Sequence, residues 1–373
     1  MSVLISSTSL AARRGSGVPL LVLAGIAWGT GGLLGSLLGR ETGLSPLAVA
    51  AYRLGVGGLL VLIAVAAIAL ISRRDRPLLG APGHRRPALQ RIGMLAVLAA
   101  AFQACYFTAV SLTSVGLATL VTIGTAPVVV VAVETLRGRA RRSSLPVVVL
   151  ALLGLGLLVG LPTAAPEPLA AVAGAGAAVV AGSAFATMTL AGGVAVPGLD
   201  AMVATGASFL VGGLLLAVPA AALGGPVFPM TLAGAGLLAL FAVLPTALAY
   251  TAYFRGLAAG ASPGTGTVLA LMEPLTAAVL AAVVLGERLG AAGVAGALLL
   301  GIAVLLTARA DRPAVRGGSR VQSRRLAASA AGAPAGARRI SRASAARSAA
   351  GVDRRREAIG GGGSGGPNRR FQS

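Results

Sequence analysis

The chain has 373 residues, 56% hydrophobic and only 11% charged, whereas a soluble domain of this length carries about 25% charged residues. That deficit is explained if most of the chain faces lipid instead of water. All 31 basic residues are arginine, and close to half lie from Arg309 onward, so the net charge of +21 divides between a basic tail and a mildly basic body. The single cysteine, Cys105, and the single histidine, His84 in a loop beside Arg85 and Arg86, leave no disulfide framework and no Cys-based metal site. No cofactor is expected. A phosphate-binding loop would need a lysine, and the chain has none.

An α-helix needs roughly 17–25 apolar residues to cross about 30 Å of hydrocarbon. In chain order, such runs fall at about 18–38, 47–71, 92–112, 115–136, 145–161, 169–190, 201–222, 232–254, 264–285 and 291–308. The expected fold is therefore an all-α integral membrane protein with ten transmembrane helices. The first run is too long for a signal peptide, and no small-residue cleavage pattern closes it. Arg13 and Arg14, the Arg73–Arg91 and Arg137–Arg142 loops, Arg255 and the tail fall on one side; Arg40 and Arg288, each beside a glutamate, fall on the other. That imbalance predicts cytoplasmic N- and C-termini.

A shift of 147 residues lays spans three to five on spans eight to ten. Tyr106-Phe107 then falls on Tyr253-Phe254, Gln103 on Tyr250, Pro127 on Pro274 and Gly154 on Gly301. Gly57-Gly58-Leu59-Leu60 falls on Gly212-Gly213-Leu214-Leu215 with a slightly different shift. Repeats of five helices must sit in the membrane in opposite orientations, an architecture whose ligand site lies at the midplane between the halves.

The stretch Leu244-Pro245-Thr246-Ala247-Leu248-Ala249-Tyr250, followed by Tyr253-Phe254-Arg255-Gly256-Leu257, Glu273-Pro274 and Gly286-Glu287-Arg288-Leu289, resembles the second repeat of EamA-type transporters of the drug/metabolite transporter superfamily. Pro46 to Arg53 is similar to the start of that family's second helix. The resemblance implies two inverted five-helix EamA repeats, 18–161 and 162–308, between a cytoplasmic N-terminus at 1–17 and a tail at 309–373. It implies transport of small metabolites, often export. The first repeat departs from the pattern, reading Arg137-Gly138-Arg139-Ala140-Arg141 where Gly-Glu would recur. With no means of hydrolysing ATP by a phosphate loop, uphill transport would draw on an ion gradient, protons among the candidates. The expected place is a bacterial inner membrane, and a homodimer stays open.

Glu273 lies about nine residues into its span, roughly 13 Å deep at 1.5 Å per residue. An unpartnered carboxylate there costs at least ~2.5–3.5 kcal/mol, so it must be protonated, paired or lining water. It is a candidate for binding a cationic group or exchanging a proton; the alternative is a structural hydrogen bond beside Pro274. Arg53, about seven residues into the second span, can hold a substrate carboxylate in its planar fork of donors, pair with Glu273, or snorkel outward. An Arg and a Glu on one cavity would suit a zwitterion such as an amino acid. Trp28, Gln103 and Tyr250 are further lining candidates. Pro127 and Pro274 are expected to bend their helices and free carbonyls. Tyr106 and Tyr253 are read as lining residues or interface anchors, and Glu134 as a surface partner of Arg137.

From Arg309 onward, low hydrophobicity and high net charge predict a disordered cytoplasmic tail that attracts anionic lipid headgroups. With one aromatic residue, Phe371, it offers no stacking platform for nucleic acid. A non-transporting scaffold and a membrane-embedded enzyme remain alternatives; the repeat with matched prolines favours a carrier.

Overall fold

The computed structural model describes residues 17–72, 83–138, 144–160, 167–223, 227–284, 286 and 288–310. The expected disordered tail, the arginines at 13–14, 73–76 and 139–142, and Glu287 lie outside the described residues. Everything described is helix or short joint. The spans are α1 Val18–Thr42, α2 Pro46–Ser72, α3 Arg85–Leu112, α4 Val115–Leu136, α5 Ser144–Val159, α6 Pro168–Gly192, α7 Ala201–Ala222, α8 Leu232–Ala258, α9 Pro263–Val284 and α10 Ala291–Ala310. Among the described residues, nine are long and apolar enough to cross a bilayer, and α5 is the shorter tenth. Large apolar side chains point outward from the bundle, among them Ile63, Leu153, Leu214 and Leu298. In water this surface would be untenable; against acyl chains it is the solvated face.

Polar residues at the joints start and stop the helices. Ser114 accepts a hydrogen bond from the Leu117 amide at 3.1 Å, so α3 can turn into α4 across Thr113 and Ser114 alone. Asp200, Thr231 and Ser262 cap α7, α8 and α9 in the same way. Gly43 closes α1 in a left-handed conformation, φ 66°, its amide donating to the Gly39 carbonyl at 2.9 Å. Consecutive spans thus run antiparallel. The joints at 43–45 and 113–114 share one face of the bundle, here the Gly43 face; Gly17, His84, Gly138 and the 259–262 joint share the opposite, Gly17 face.

Repeats interlock through backbone contact at small residues. α2 crosses α7 where Gly58 meets Gly206 and Gly213 meets Gly55; α5 crosses α10 where Gly154 meets Gly296. A Cβ on Gly58 would sit 2.6 Å from the Gly206 carbonyl oxygen, and one on Gly296 would sit 2.6 Å from that of Gly154. Small residues allow this approach, and dispersion between backbones then holds helices together where lipid offers no hydrophobic drive.

Three spans are discontinuous. α1 breaks at Thr30, whose hydroxyl donates to the Ala27 carbonyl at 2.8 Å. α9 breaks at Leu271, between Pro263–Ala270 and Met272–Val284. α8 carries a π-helical stretch, Val243–Leu248, centred near Pro245. There the Phe241 carbonyl, denied its donor by the proline, accepts from the Thr246 hydroxyl at 3.0 Å. α4, by contrast, runs as one helix through Pro127. Of the two prolines expected to bend their helices, only Pro274 stands beside a break.

Candidate functional site

A cavity of about 600 Å³ lies between the halves, lined by parts of α1, α2, α3, α4, α6, α8 and α9. It extends from the middle of the bundle to the Gly43 face, where Gly39, Arg40, Leu44 and Pro46 on one side and Val110 and Val115 on the other form its mouth. The two ends of the bundle differ in their packing. The largest buried cluster gathers Val18, Leu21, Trp28, Phe209, Tyr250, Tyr253, Phe254 and Leu257, most of it toward the Gly17 face.

Aromatic rings form the floor of the cavity. Trp28 lies edge-on to Phe185 at 5.7 Å and to Tyr250 at 5.0 Å, and tilted against Tyr253 at 5.0 Å between centroids. Tyr253 is fully buried, its hydroxyl 2.8 Å from that of Thr189, which itself donates to the Phe185 carbonyl. It is an interior residue, not an interface anchor. Tyr106 also points inward, hydrogen-bonded to Thr119 at 2.9 Å. Beneath the rings, Gly17 and Gly256 bring α1 and α8 into backbone contact, and Arg91 donates to the Ala191 carbonyl between α3 and α6.

All five lining candidates named from the sequence, Trp28, Arg53, Gln103, Tyr250 and Glu273, lie on this one cavity. The Arg53 guanidinium sits 5.0 Å from the centroid of the Phe241 ring. Pro127 and Pro274 are not part of the lining. Ile123 and Ala270 are, each four residues before one of those prolines and so without an amide donor at the usual helical position. They coincide under the 147-residue shift, as do Ala126 and Glu273, so the acid has no counterpart in the first half.

Glu134 turns away from the site. Its carboxylate rests against Gly264 in the first turn of α9, 3.0 Å from where a Cβ would stand, a helix start that favours negative charge.

Four buried polar atoms among the lining residues have no hydrogen-bond partner: Trp28 Nε1, Arg53 Nε, Gln103 Nε2 and Thr122 Oγ1. Buried donors are normally paired, and leaving one unpaired costs about 1–3 kcal/mol. Thr122 was not singled out from the sequence, nor were Thr119, Phe102, Phe185 and Phe241. A signal existed for the threonines: Val115, Thr119, Thr122, Ile123 and Ala126 lie at helical spacing on a single face of α4, with the two polar residues three apart.

A cavity at a repeat interface, floored by aromatic rings and bordered by broken helices, is built to admit a small solute from one side. The comparisons agree. The model of the EamA-like transporter family matches residues 15–160 and again 172–309. The uncharacterized transporter YwfM of Bacillus subtilis (strain 168) is 29% identical over 294 residues, covering 78% of this chain and 93% of its own. A protein of known crystal structure shares the fold with a TM-score of 0.63 at 20% identity, over 81% of this chain and 100% of its own. With two copies of the repeat matched across the ten-helix bundle, the chain belongs to the EamA-like transporter family and is a membrane transporter of the drug/metabolite type.

Proposed function

We propose that this protein is a secondary active transporter that exports small metabolites such as amino acids, driven by an ion gradient. One observation carries the reading: among the described residues, a cavity between the repeats holds an arginine and a glutamate and opens at the Gly43 face of the bundle. Charged side chains at this depth are costly and belong to solute or ion pathways. The arginine counts support the Gly43 face as periplasmic and the Gly17 face, with both termini, as cytoplasmic. The conformation described is then the outward-facing one. Export requires the opposite state, in which the ring cluster around Trp28 and Tyr253 parts and the mouth between α1 and α4 closes.

Glu273 is the group suited to coupling. As a carboxylate it attracts a cationic solute group; protonated, it releases that group, so solute and proton compete for a single site. The test is flux in proteoliposomes of both orientations, with and without a pH gradient, across amino acids, nucleosides and cationic drugs. Gradient-dependent flux of one class is expected, reduced at least tenfold in Glu273→Gln. No flux of any class from folded, correctly oriented protein would refute the reading.

A further inference from the structure

The two ends of the bundle correspond through the inversion of the repeats, and they are in opposite states. At the Gly43 face the tip joining α3 to α4 stands across the mouth from the end of α1, with Val110 and Val115 on one side and Gly39, Arg40 and Leu44 on the other. The 147-residue shift carries Val110 to Leu257 and Val115 to Ser262, which flank the tip joining α8 to α9 at the Gly17 face. There α6 takes the place of α1. This second junction is closed. A Cβ on Gly192 would meet the Phe254 ring at 2.6 Å and Leu257 at 3.2 Å, and one on Gly193 would meet Pro263 at 3.6 Å. The inward mouth therefore belongs between the end of α6 and the α8–α9 tip.

Two charged side chains of the first repeat grip the two sides of that junction. Arg91 of α3 donates to the Ala191 carbonyl in the last turn of α6, the negative end of that helix. The Glu134 carboxylate of α4 rests on Gly264 in the first turn of α9, the positive end. Each charge has the sign that its helix end attracts. The shift carries Arg91 to Leu238 and Glu134 to Ala281, so neither has a charged counterpart toward the Gly43 face. The helices that bear them are also stiff: α3 and α4 run unbroken, where α1, α8 and α9 are interrupted. Arg91 and Val110 stand near opposite ends of α3, about 28 Å apart at 1.5 Å per residue.

We propose that the α3–α4 hairpin is a lever with the outer mouth at one end and a charge latch at the other, in which Arg91 and Glu134 hold the ends of α6 and α9 and keep the Gly17 face shut. This rests on the transporter reading and names the contacts that set its resting state. Swinging the α3–α4 tip toward α1 closes the outer mouth and draws Arg91 and Glu134 off the α6 and α9 ends. One stiff element thus keeps the two mouths from opening together. Water entering the inward mouth then solvates both charges, so the latch releases without stranding either of them.

The experiment uses the full chain in membrane vesicles, in a Cys105→Ser background, with one reporter cysteine at each mouth. Ser36→Cys lies on the exposed outer wall, and Leu257→Cys lies in the closed inner junction, where the leucine is 2% exposed. Modification by a membrane-impermeant thiol reagent is timed in right-side-out vesicles for the first and inverted vesicles for the second. The Leu257→Cys rate follows the population of the inward-open state. Arg91→Leu and Glu134→Gln should each raise it about tenfold, the scale of a hydrogen bond to a charged group. The double variant should raise it further and slow Ser36→Cys in turn. Arg91→Lys, which keeps the charge, should stay closer to the parent than Arg91→Leu, and it carries the test with Glu134→Gln should Arg91→Leu fail to fold. Unchanged rates in variants that melt like the parent would overturn the latch, and so would both rates rising together, the mark of general loosening. Flux by the parent separates the two readings: flux with unmoved reporters overturns the latch alone, whereas no flux of any class removes both.

Discussion

Replacing Gly58 by alanine inserts one methyl group into a backbone-to-backbone crossing between the repeats. On α2 that methyl would sit 2.4 Å from the Leu210 nitrogen, 2.6 Å from the Gly206 carbonyl oxygen and 2.9 Å from the Phe209 carbonyl carbon. These atoms are all backbone, so no side chain can swing aside. Each contact is about 1 Å short of ordinary separation, and the helices must part to restore it. Overpacking of this kind costs about 1–3 kcal/mol, against a gain of at most about 1 kcal/mol from replacing a helical glycine. The net expectation is a loss of about 1–2 kcal/mol. Gly55→Ala is the matched control: it lies one turn away on α2, and nothing stands within 4 Å of its added Cβ. Unfolding in mixed detergent micelles, followed by far-UV circular dichroism, should show Gly58→Ala clearly destabilised and Gly55→Ala at or slightly above the parent. If Gly58→Ala proves as stable as Gly55→Ala, the α2–α7 crossing is not set by backbone contact, and the account of how the repeats interlock is wrong.

Gly32 lies on the cavity wall with no atom within 4 Å of an added Cβ, so Gly32→Leu should abolish flux in proteoliposomes while leaving the unfolding midpoint unchanged. Tyr253→Phe removes the buried bond to Thr189. Thr189 keeps its bond to the Phe185 carbonyl, so the expected loss is about 0.5–1.5 kcal/mol, read from the same unfolding curves. In a Cys105→Ser background, Ser36→Cys lies on the exposed cavity wall and Ala259→Cys at the opposite face. A membrane-impermeant thiol reagent should label the first in intact cells and the second only after permeabilisation; the reverse pattern would invert the assigned orientation.

The span lengths, the class of fold and the two-repeat plan were legible in the chain itself. Lipid allows no unpaired backbone, so ten apolar runs of spanning length can only be helices, and a matched order of residues in the two halves implies two like bundles. Glu273 and Arg53 stood out for the same reason: charge inside an apolar run is costly enough to need a purpose. The interruptions were less visible. Pro127 and Pro274 match in sequence, yet α4 runs through its proline while α9 breaks at Leu271, because a helix's course depends on what its neighbours press against it. The break at Thr30 left no signal in hydropathy, since α1 stays apolar across it.

What tertiary structure alone decided is which polar groups meet. Trp28, Arg53, Gln103, Thr122 and Glu273 come from five different spans and converge on one cavity. No local pattern encodes that, because convergence depends on the rotation of each helix about its axis. Those rotations are fixed by the glycine crossings at Gly58, Gly206, Gly154 and Gly296, contacts between residues far apart in the chain. Hydropathy reports how deep a residue lies in the membrane and is silent on the direction in which it points. The sequence by itself therefore determined a ten-span membrane protein with costly charges at depth, and the packing of the repeats decided that those charges line one shared cavity.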